Sequence, residues 1–272
     1  MPADTENSVL QNHNILSVKA KKHLGQHFLT DENIASKIVN GMSFENYRDV
    51  LEVGPGMGVL TKYLLEKNQQ IWLAEIDTES IDYLKKNYHP VSDSHFVGDF
   101  LKTDFSYTEG RQVSIIGNFP YNISSQILFH IIEHYQLIPE MVGMFQKEVA
   151  ERTAAVPRTK DYGILSVMVQ AYYDVKYLFT VHENVFNPPP KVKSGVIKLT
   201  RNPKPGLEGN EILFKKIVKA GFGQRRKKLS NALKILGIPE ALTHHHFMDK
   251  RAEELSVADF IDFTQLWKSE LR

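Results

Sequence analysis

The stretch VLEVGPGMGVLT, residues 50 to 61, decides the fold. Val50, Leu51 and Val53 lead straight into Gly54, Gly56 and Gly58, and apolar residues then return at helical spacing. Glycine is needed where a strand turns tightly into a helix and a ligand approaches the backbone, since a Cβ would obstruct both. Working outward, strands are expected near 49–53, 71–75, 94–97, 113–117 and 141–146, with helices near 58–67, 78–88, 123–135 and 147–156. A further helix is expected from Asp31 to Gly41, on the spacing of Ile34, Ile38 and Val39. Strands separated by helical stretches imply right-handed crossovers and a mostly parallel sheet covered on both faces. Two more strands, near 172–181 and 194–200, lack an intervening helix and read as an antiparallel edge. The expectation is a Rossmann-like α/β domain with a seven-stranded sheet.

The segment RNPKPGLEGN, residues 201–210, reads as a linker. After it, EILFKKIVKAGF, RRKKLSNALKIL and SVADFIDFTQLWKSEL are amphipathic and carry no strand signal. The expected division is a disordered tail at 1–16, a catalytic domain at 17–205 and a small all-helical domain at 206–272. A chain of 272 residues, 42% apolar and 24% charged, is long enough to bury a large core. It contains no cysteine, which excludes disulfides, thiolate metal sites and a cysteine nucleophile, and fits a reducing, cytoplasmic setting. Neither a secretory leader nor a membrane span is evident in the composition. His244, His245 and His246 are consecutive, so on a helix they would point about 100° apart and could not share one ion; no metal is expected.

Net charge is only +1, yet between Glu211 and Lys234 eight basic residues face one acid. With Lys21 and Lys22, the quartet Arg225, Arg226, Lys227 and Lys228 could form the footprint of a phosphate backbone, or simply a solvated helix face. Glu75 follows Gly54 by 21 residues and closes the second strand, where a carboxylate can accept from both ribose hydroxyls. Asp99 follows the third strand and can accept from an adenine amine, or cap the next helix. The pair defines a nucleoside pocket and points to S-adenosylmethionine rather than a dinucleotide.

SIIGNFPYNISSQ, residues 114–126, places Asn118, Pro120 and Tyr121 at a strand exit. An aryl amine is a poor nucleophile because its lone pair is delocalised. Two acceptors on its hydrogens, the Asn118 side-chain oxygen and a backbone carbonyl near Phe119, would draw the nitrogen toward tetrahedral geometry. Pro120 stiffens the turn that carries them, and Tyr121 would stack on the ring.

At this point the chain resembles the small-subunit ribosomal RNA adenine dimethyltransferases, KsgA type. The similarity rests on KKHLGQHFLTD, VLEVGPGMGVLT, AEID, VGDFLK, IIGNFPYNISSQIL, VFNPPPKVKSGVIKL and FGQRRKKLSNAL, in that order, together with the QKEVAERTAAVPRTKDYGILSVMVQ block. It implies transfer of two methyl groups from S-adenosylmethionine to N6 of each of two adjacent adenosines near the 3′ end of small-subunit rRNA, coupled to subunit maturation. A monomer is expected, since no segment reads as a coiled coil or a swapped edge. By the same resemblance, His27 and Leu29 line the cofactor pocket with Gln26 near the methionine part, Gly54 in the loop, Glu75 on the ribose, Asp99 on the adenine and Asn118 at the methyl group. Phe186 resembles the second aromatic, facing Tyr121 across the target base; its residue-level alternative is an apolar plug under a proline-rich loop. Phe119 stands where the family often has Leu, Ile or Val. Rival readings are a large-subunit rRNA methyltransferase of the macrolide-resistance kind, a protein-glutamine methyltransferase, a non-catalytic assembly factor and an NAD-dependent redox enzyme. The basic C-terminal block favours the small-subunit methyltransferase.

Overall fold

The computed structural model describes residues 18–207 and 209–271, so the expected tail at 1–16 lies outside the described residues. The chain enters through a two-residue strand β1 (Phe28–Leu29) and helix α1 (Glu32–Val39), whose N-terminus Asp31 caps by accepting from Ile34 N at 3.0 Å. There follow β2 (Asp49–Val53), α2 (Thr61–Leu64), β3 (Gln70–Ala74), α3 (Thr78–Asn87), β4 (Val113–Asn118), α4 (Ser124–Glu133), β5 (Glu140–Gln146), α5 (Lys147–Ala154) and α6 (Ile164–Gln170). Strands β6 (Tyr173–Val181), β7 (Phe186–Asn187) and β8 (Ser194–Arg201) complete the sheets. Helices α7 (Glu211–Gly223), α8 (Leu229–Ala232) and α9 (Val257–Ser269) finish the chain.

The main sheet has six strands in the order β3-β2-β4-β5-β8-β6, parallel from β3 to β5 and antiparallel at β8 and β6. The seventh strand expected at 94–97 is reduced to one parallel bridge, Leu73 with Phe96. Its polar run explains why: Ser92 and His95 bond each other's side chains and backbone around a 3₁₀ turn at Asp93–His95, and such local bonds compete with a ladder. Likewise the helix expected at 58–67 shrinks to Thr61–Leu64, because Gly58 sits at φ +80° and cannot start a right-handed helix. Helix α6 was not expected, since ILSVMVQ is apolar on nearly every face and shows no helical stripe.

Alternate residues of the parallel strands feed two cores. Leu51, Val53, Ile115, Met141 and Phe145 face one, whereas Val50, Leu73, Ile116, Val142 and Met144 face the other. Both sets are apolar, as a sheet covered on both faces requires. The first core runs without a break into the C-terminal helices, where Phe214, Ile217, Phe260, Phe263 and Trp267 are buried. Among the described residues no helix is long and apolar enough to cross a membrane. The strand order reverses between β2's two neighbours, β3 and β4, and in open α/β sheets ligands bind beyond the carboxyl ends of the strands at such a point.

Candidate active site

A cleft of about 220 Å³ opens at that switch point. Its walls come from the strap at residues 23–28, the glycine loop after β2, Glu75 and Ile76 after β3, Asp99 and Leu101, and residues 118–123 after β4. Gln26, His27, Gly54, Glu75, Asp99, Asn118, Pro120 and Tyr121, all singled out in the sequence, meet there. Leu29 does not: it is 4% exposed, lies in a buried core and lines only an adjoining cavity of about 20 Å³.

The glycines do different jobs. Gly54, at φ +67°, opens onto the cleft, whereas a Cβ on Gly56 would stand 2.8 Å from Phe28 Cε1 and one on Gly58 would stand 2.5 Å from Tyr88 Cε2. The latter two therefore make room for packing. Glu75 is buried, and its Oε1 accepts from Ile76 N and Asp77 N, both at 2.9 Å, while Oε2 accepts from Gly56 N at 3.2 Å. Burial raises its pKa, and those three backbone N–H groups partly offset the rise. Oε2 keeps an acceptor site for a hydroxyl, but Oε1 is already doubly bonded, so the carboxylate is less open to a diol than the sequence suggested. Asp99 caps the turn at Phe100–Lys102 by accepting from Leu101 N at 3.0 Å; its Oδ2 faces Lys102 Nζ at 3.5 Å. It lines the cleft as well.

Asn118 ends β4, opposite Met144 of β5. Its Nδ2 donates to the His27 carbonyl at 2.8 Å, which fixes the amide and leaves Oδ1 as its unbonded acceptor. Phe119 N donates to Met144 O at 3.1 Å, and no donor among the described residues reaches the Phe119 carbonyl. Phe119 is 1% exposed and lines the cleft. The ring fills a slot left by Gly143 and Gly117 and packs on Phe145 at 4.7 Å between centroids.

Phe186 lies apart from the cleft. It is 4% exposed, pairs with Leu29 across β1 and β7, and belongs to the core beneath the strap rather than to the cleft. The ring that faces Tyr121 is His27, stacked at 5.4 Å and 30°. His27 Nδ1 donates to the Pro188 carbonyl at 2.8 Å, while the Tyr121 hydroxyl bonds Ser194 Oγ. A flat ring between Tyr121 and His27 would need them about 7 Å apart, roughly twice the van der Waals stacking distance.

The ribosomal RNA adenine dimethylase family matches residues 17–268. The chain belongs to that family. It is therefore an enzyme that dimethylates adenosine in rRNA. The chain is 55% identical over 251 residues to the ribosomal RNA small subunit methyltransferase A of Cytophaga hutchinsonii, covering 92% of this chain and 97% of that one. It is 56% identical to the Flavobacterium johnsoniae protein of the same name, covering 91% and 95%. Among solved structures, a dimethyladenosine transferase from Plasmodium falciparum superposes with a TM-score of 0.78 at 27% identity, covering 90% of this chain and 98% of that one. The 23S rRNA methyltransferase ErmE shares the fold, with a TM-score of 0.61 at 24% identity over 88% and 99% of the two chains.

For a dimethylase, the basic residues divide in a way the sequence did not show. Lys21 Nζ is engaged by Asp77 and, at 3.2 Å, by Glu79; its backbone N donates to Gln26 Oε1 at 2.8 Å, and Gln26 Nε2 reaches Asp77 Oδ2 at 3.4 Å. Lys21 and Gln26 thus lash the strap to the N-terminus of α3. Asp77 caps α3; burial works against its charge, and bonds from Lys21, Ser80 and Gln26 outweigh that and hold its pKa below the ordinary value. The quartet 225–228 is not helical, because α7 ends at Gly223 and a turn follows. In that turn Arg225 pairs with Glu253 at 2.6 Å and Lys228 with Asp249 at 2.9 Å. Arg226, Lys227 and Lys22 are exposed and have no ion-pair partner among the described residues. Of the histidines 244–246, His244 lies in a turn, His245 caps a 3₁₀ helix and His246 opens it, and the His245 and His246 rings pack on Phe247.

Two further residues were missed, Ile76 in the cleft and Glu52 in the small adjoining cavity. Ile76 is 55% exposed yet lines the cleft beside Glu75; an apolar residue inside the polar run EIDTES was its signal. Glu52, within β2 itself, is 1% exposed and accepts from Thr61 Oγ1 at 2.6 Å. Burial pushes its pKa up to about 8, with the Thr61 bond opposing and the nearby Glu75 charge adding to the rise.

Proposed function

We propose that this dimethylase acts on the small ribosomal subunit, methylating N6 of two adjacent adenosines near the 3′ end of its rRNA, as a cytoplasmic monomer working on immature subunits. Residues 17–205 carry the chemistry, and the helices beyond 206 help hold the RNA. The names of the relatives support the small subunit. The cleft's donor set suits S-adenosylmethionine: a buried carboxylate with an acceptor site left on Oε2, a second carboxylate at Asp99, and apolar walls from Ile76 and Leu101. When bound, that cofactor supplies a methyl group on a positively charged sulfur. Gly54, Glu75, Asp99, Gln26 and the strap would hold it.

The observation that carries the reading is the Asn118 amide, whose N–H₂ is committed to the His27 carbonyl and whose oxygen is not. Oδ1 and the Phe119 carbonyl accept the two N6 hydrogens, rotate the amine out of conjugation with the ring and expose its lone pair. The methylated ammonium is acidic enough to lose its proton without a strong base. Tyr121 holds one face of the adenine, which must leave its stack to reach the pocket. Small subunits lacking the modification, incubated with labelled methyl donor, should acquire dimethyladenosine. Asn118→Ala should lower the rate by about 10² or more while cofactor binding changes little. Transfer at an undiminished rate by Asn118→Ala would remove the proposed role.

A further inference from the structure

Between α5 and α6 the chain runs AVPRTKDYG, residues 155–163, a loop for which the reaction has no use. Three bonds tie it to the C-terminal region: Arg158 N donates to Glu253 O at 2.8 Å, Arg225 Nη2 to Thr159 O at 3.2 Å, and Tyr162 Oη to Leu255 O at 3.0 Å. All three use main-chain atoms of the loop or the buried Tyr162, and none uses the side chain of Arg158 or Lys160. Arg158 also stands at φ +67°, a conformation that side-chain-bearing residues avoid and that persists where the surroundings impose it. The result is an arginine and a lysine held outward, exposed and without an ion-pair partner among the described residues.

Arg225, which stitches the loop to the turn after α7, is followed in that turn by Arg226 and Lys227, also exposed and without an ion-pair partner among the described residues. Four free cations therefore gather on two adjoining segments, against the exposed carboxylate of Asp161. Val156, 59% exposed, adds an apolar contact at the same place.

We propose that the 156–160 loop is a second phosphate-binding surface for RNA, with Arg158 and Lys160 extending the patch of Arg226 and Lys227. This rests on the rRNA reading above. Clustered cations with little counter-charge match a phosphate backbone, and a guanidinium can grip a phosphate with two N–H groups. The loop is also remote from the chemistry. α5 leaves the catalytic edge directly after β5, and its eight residues carry the chain about 12 Å away. The loop thus meets RNA flanking the target adenosines rather than the adenosines themselves, and it acts on binding and not on turnover.

The test compares wild type, Arg158→Ala/Lys160→Ala and the charge-keeping Arg158→Lys/Lys160→Arg. Binding to protein-free small-subunit rRNA is measured across a salt series, and kcat and KM are measured for methylation of small subunits. The alanine pair should lower the slope of log affinity against log salt by about 1 to 2 and raise KM several-fold, with kcat and cofactor affinity unchanged. The charge-keeping pair should match wild type. An unchanged slope overturns the proposal. So does a raised KM for subunits with unaltered binding to bare rRNA, which would make the partner an acidic protein surface. If the wild-type enzyme methylates no small subunit, the functional reading fails, and the salt slope still decides the loop.

Discussion

Gly143→Ala is a single methyl group placed about as close to the reaction as a core substitution can come. A Cβ at Gly143 would lie 2.7 Å from Phe119 Cδ2 and 3.0 Å from Cζ, with Cε2 nearer still. Carbon atoms settle near 3.5 Å, so the ring must retreat by about 1.5 Å. It has nowhere to go within its slot, since Phe145 lies 4.7 Å away centroid to centroid and a Cβ on Gly117 would already stand 3.0 Å from Phe119 Cε1. The displacement therefore passes to the main chain at residues 118–120, which carries both acceptors. Overpacking of this kind costs about 1 to 3 kcal/mol, or roughly 2 to 10 °C of melting temperature in a chain of this size. A 1 Å misplacement of reacting groups lowers turnover by up to about 10². Thermal melts and single-turnover methylation would measure the two effects separately. Adding Phe119→Leu should empty enough of the slot to restore most of both, giving a double-mutant cycle with coupling well beyond additivity. If Gly143→Ala melts and turns over like wild type, the ring does not fix the catalytic carbonyl and the argument for a clamped Phe119 is wrong.

Lys21→Ala should weaken cofactor binding by about two- to fivefold and leave the salt dependence of RNA binding unchanged, because Lys21 holds the strap to Asp77 and not a phosphate; a reduced salt slope would return it to the RNA. Arg226→Ala/Lys227→Ala should reduce that slope by about 1 to 2, whereas Arg225→Ala and Lys228→Ala, whose charges are already paired, should reduce it far less. Glu52, with its pKa raised to about 8 when folded, is protonated in the native state over a range where the unfolded chain has lost the proton. Its contribution to stability is therefore full below about pH 4.5 and falls as pH rises toward 8, by up to about 1.4 kcal/mol per unit. Denaturant midpoints for Glu52→Gln should show a flatter pH profile than wild type across this window and a gain at pH 8; parallel profiles would exclude the effect.

The sequence by itself determined the elements whose signals are local. Glycines after an apolar strand, carboxylates at successive strand ends and an amide-proline-aromatic exit fix the order of the βα units, and with it the gathering of Glu75, Asp99 and Asn118 at one sheet edge. Period and turn chemistry act over a few residues, so they are readable without the fold. Charge pairing and ring neighbours are not, because partners lie far apart along the chain. Lys21 meets Asp77 across 56 positions, Arg225 meets Glu253 across 28, and Asn118 takes its orientation from His27, 91 positions earlier. Only the tertiary structure could move Phe186 out of the site and His27 against Tyr121, since β1–β7 pairing seals the one into a core and a bond to Pro188 holds the other. The same long-range packing fits the Phe119 ring to the space above Gly143, which turns an apparently neutral departure from the family's usual aliphatic residue into a matched pair.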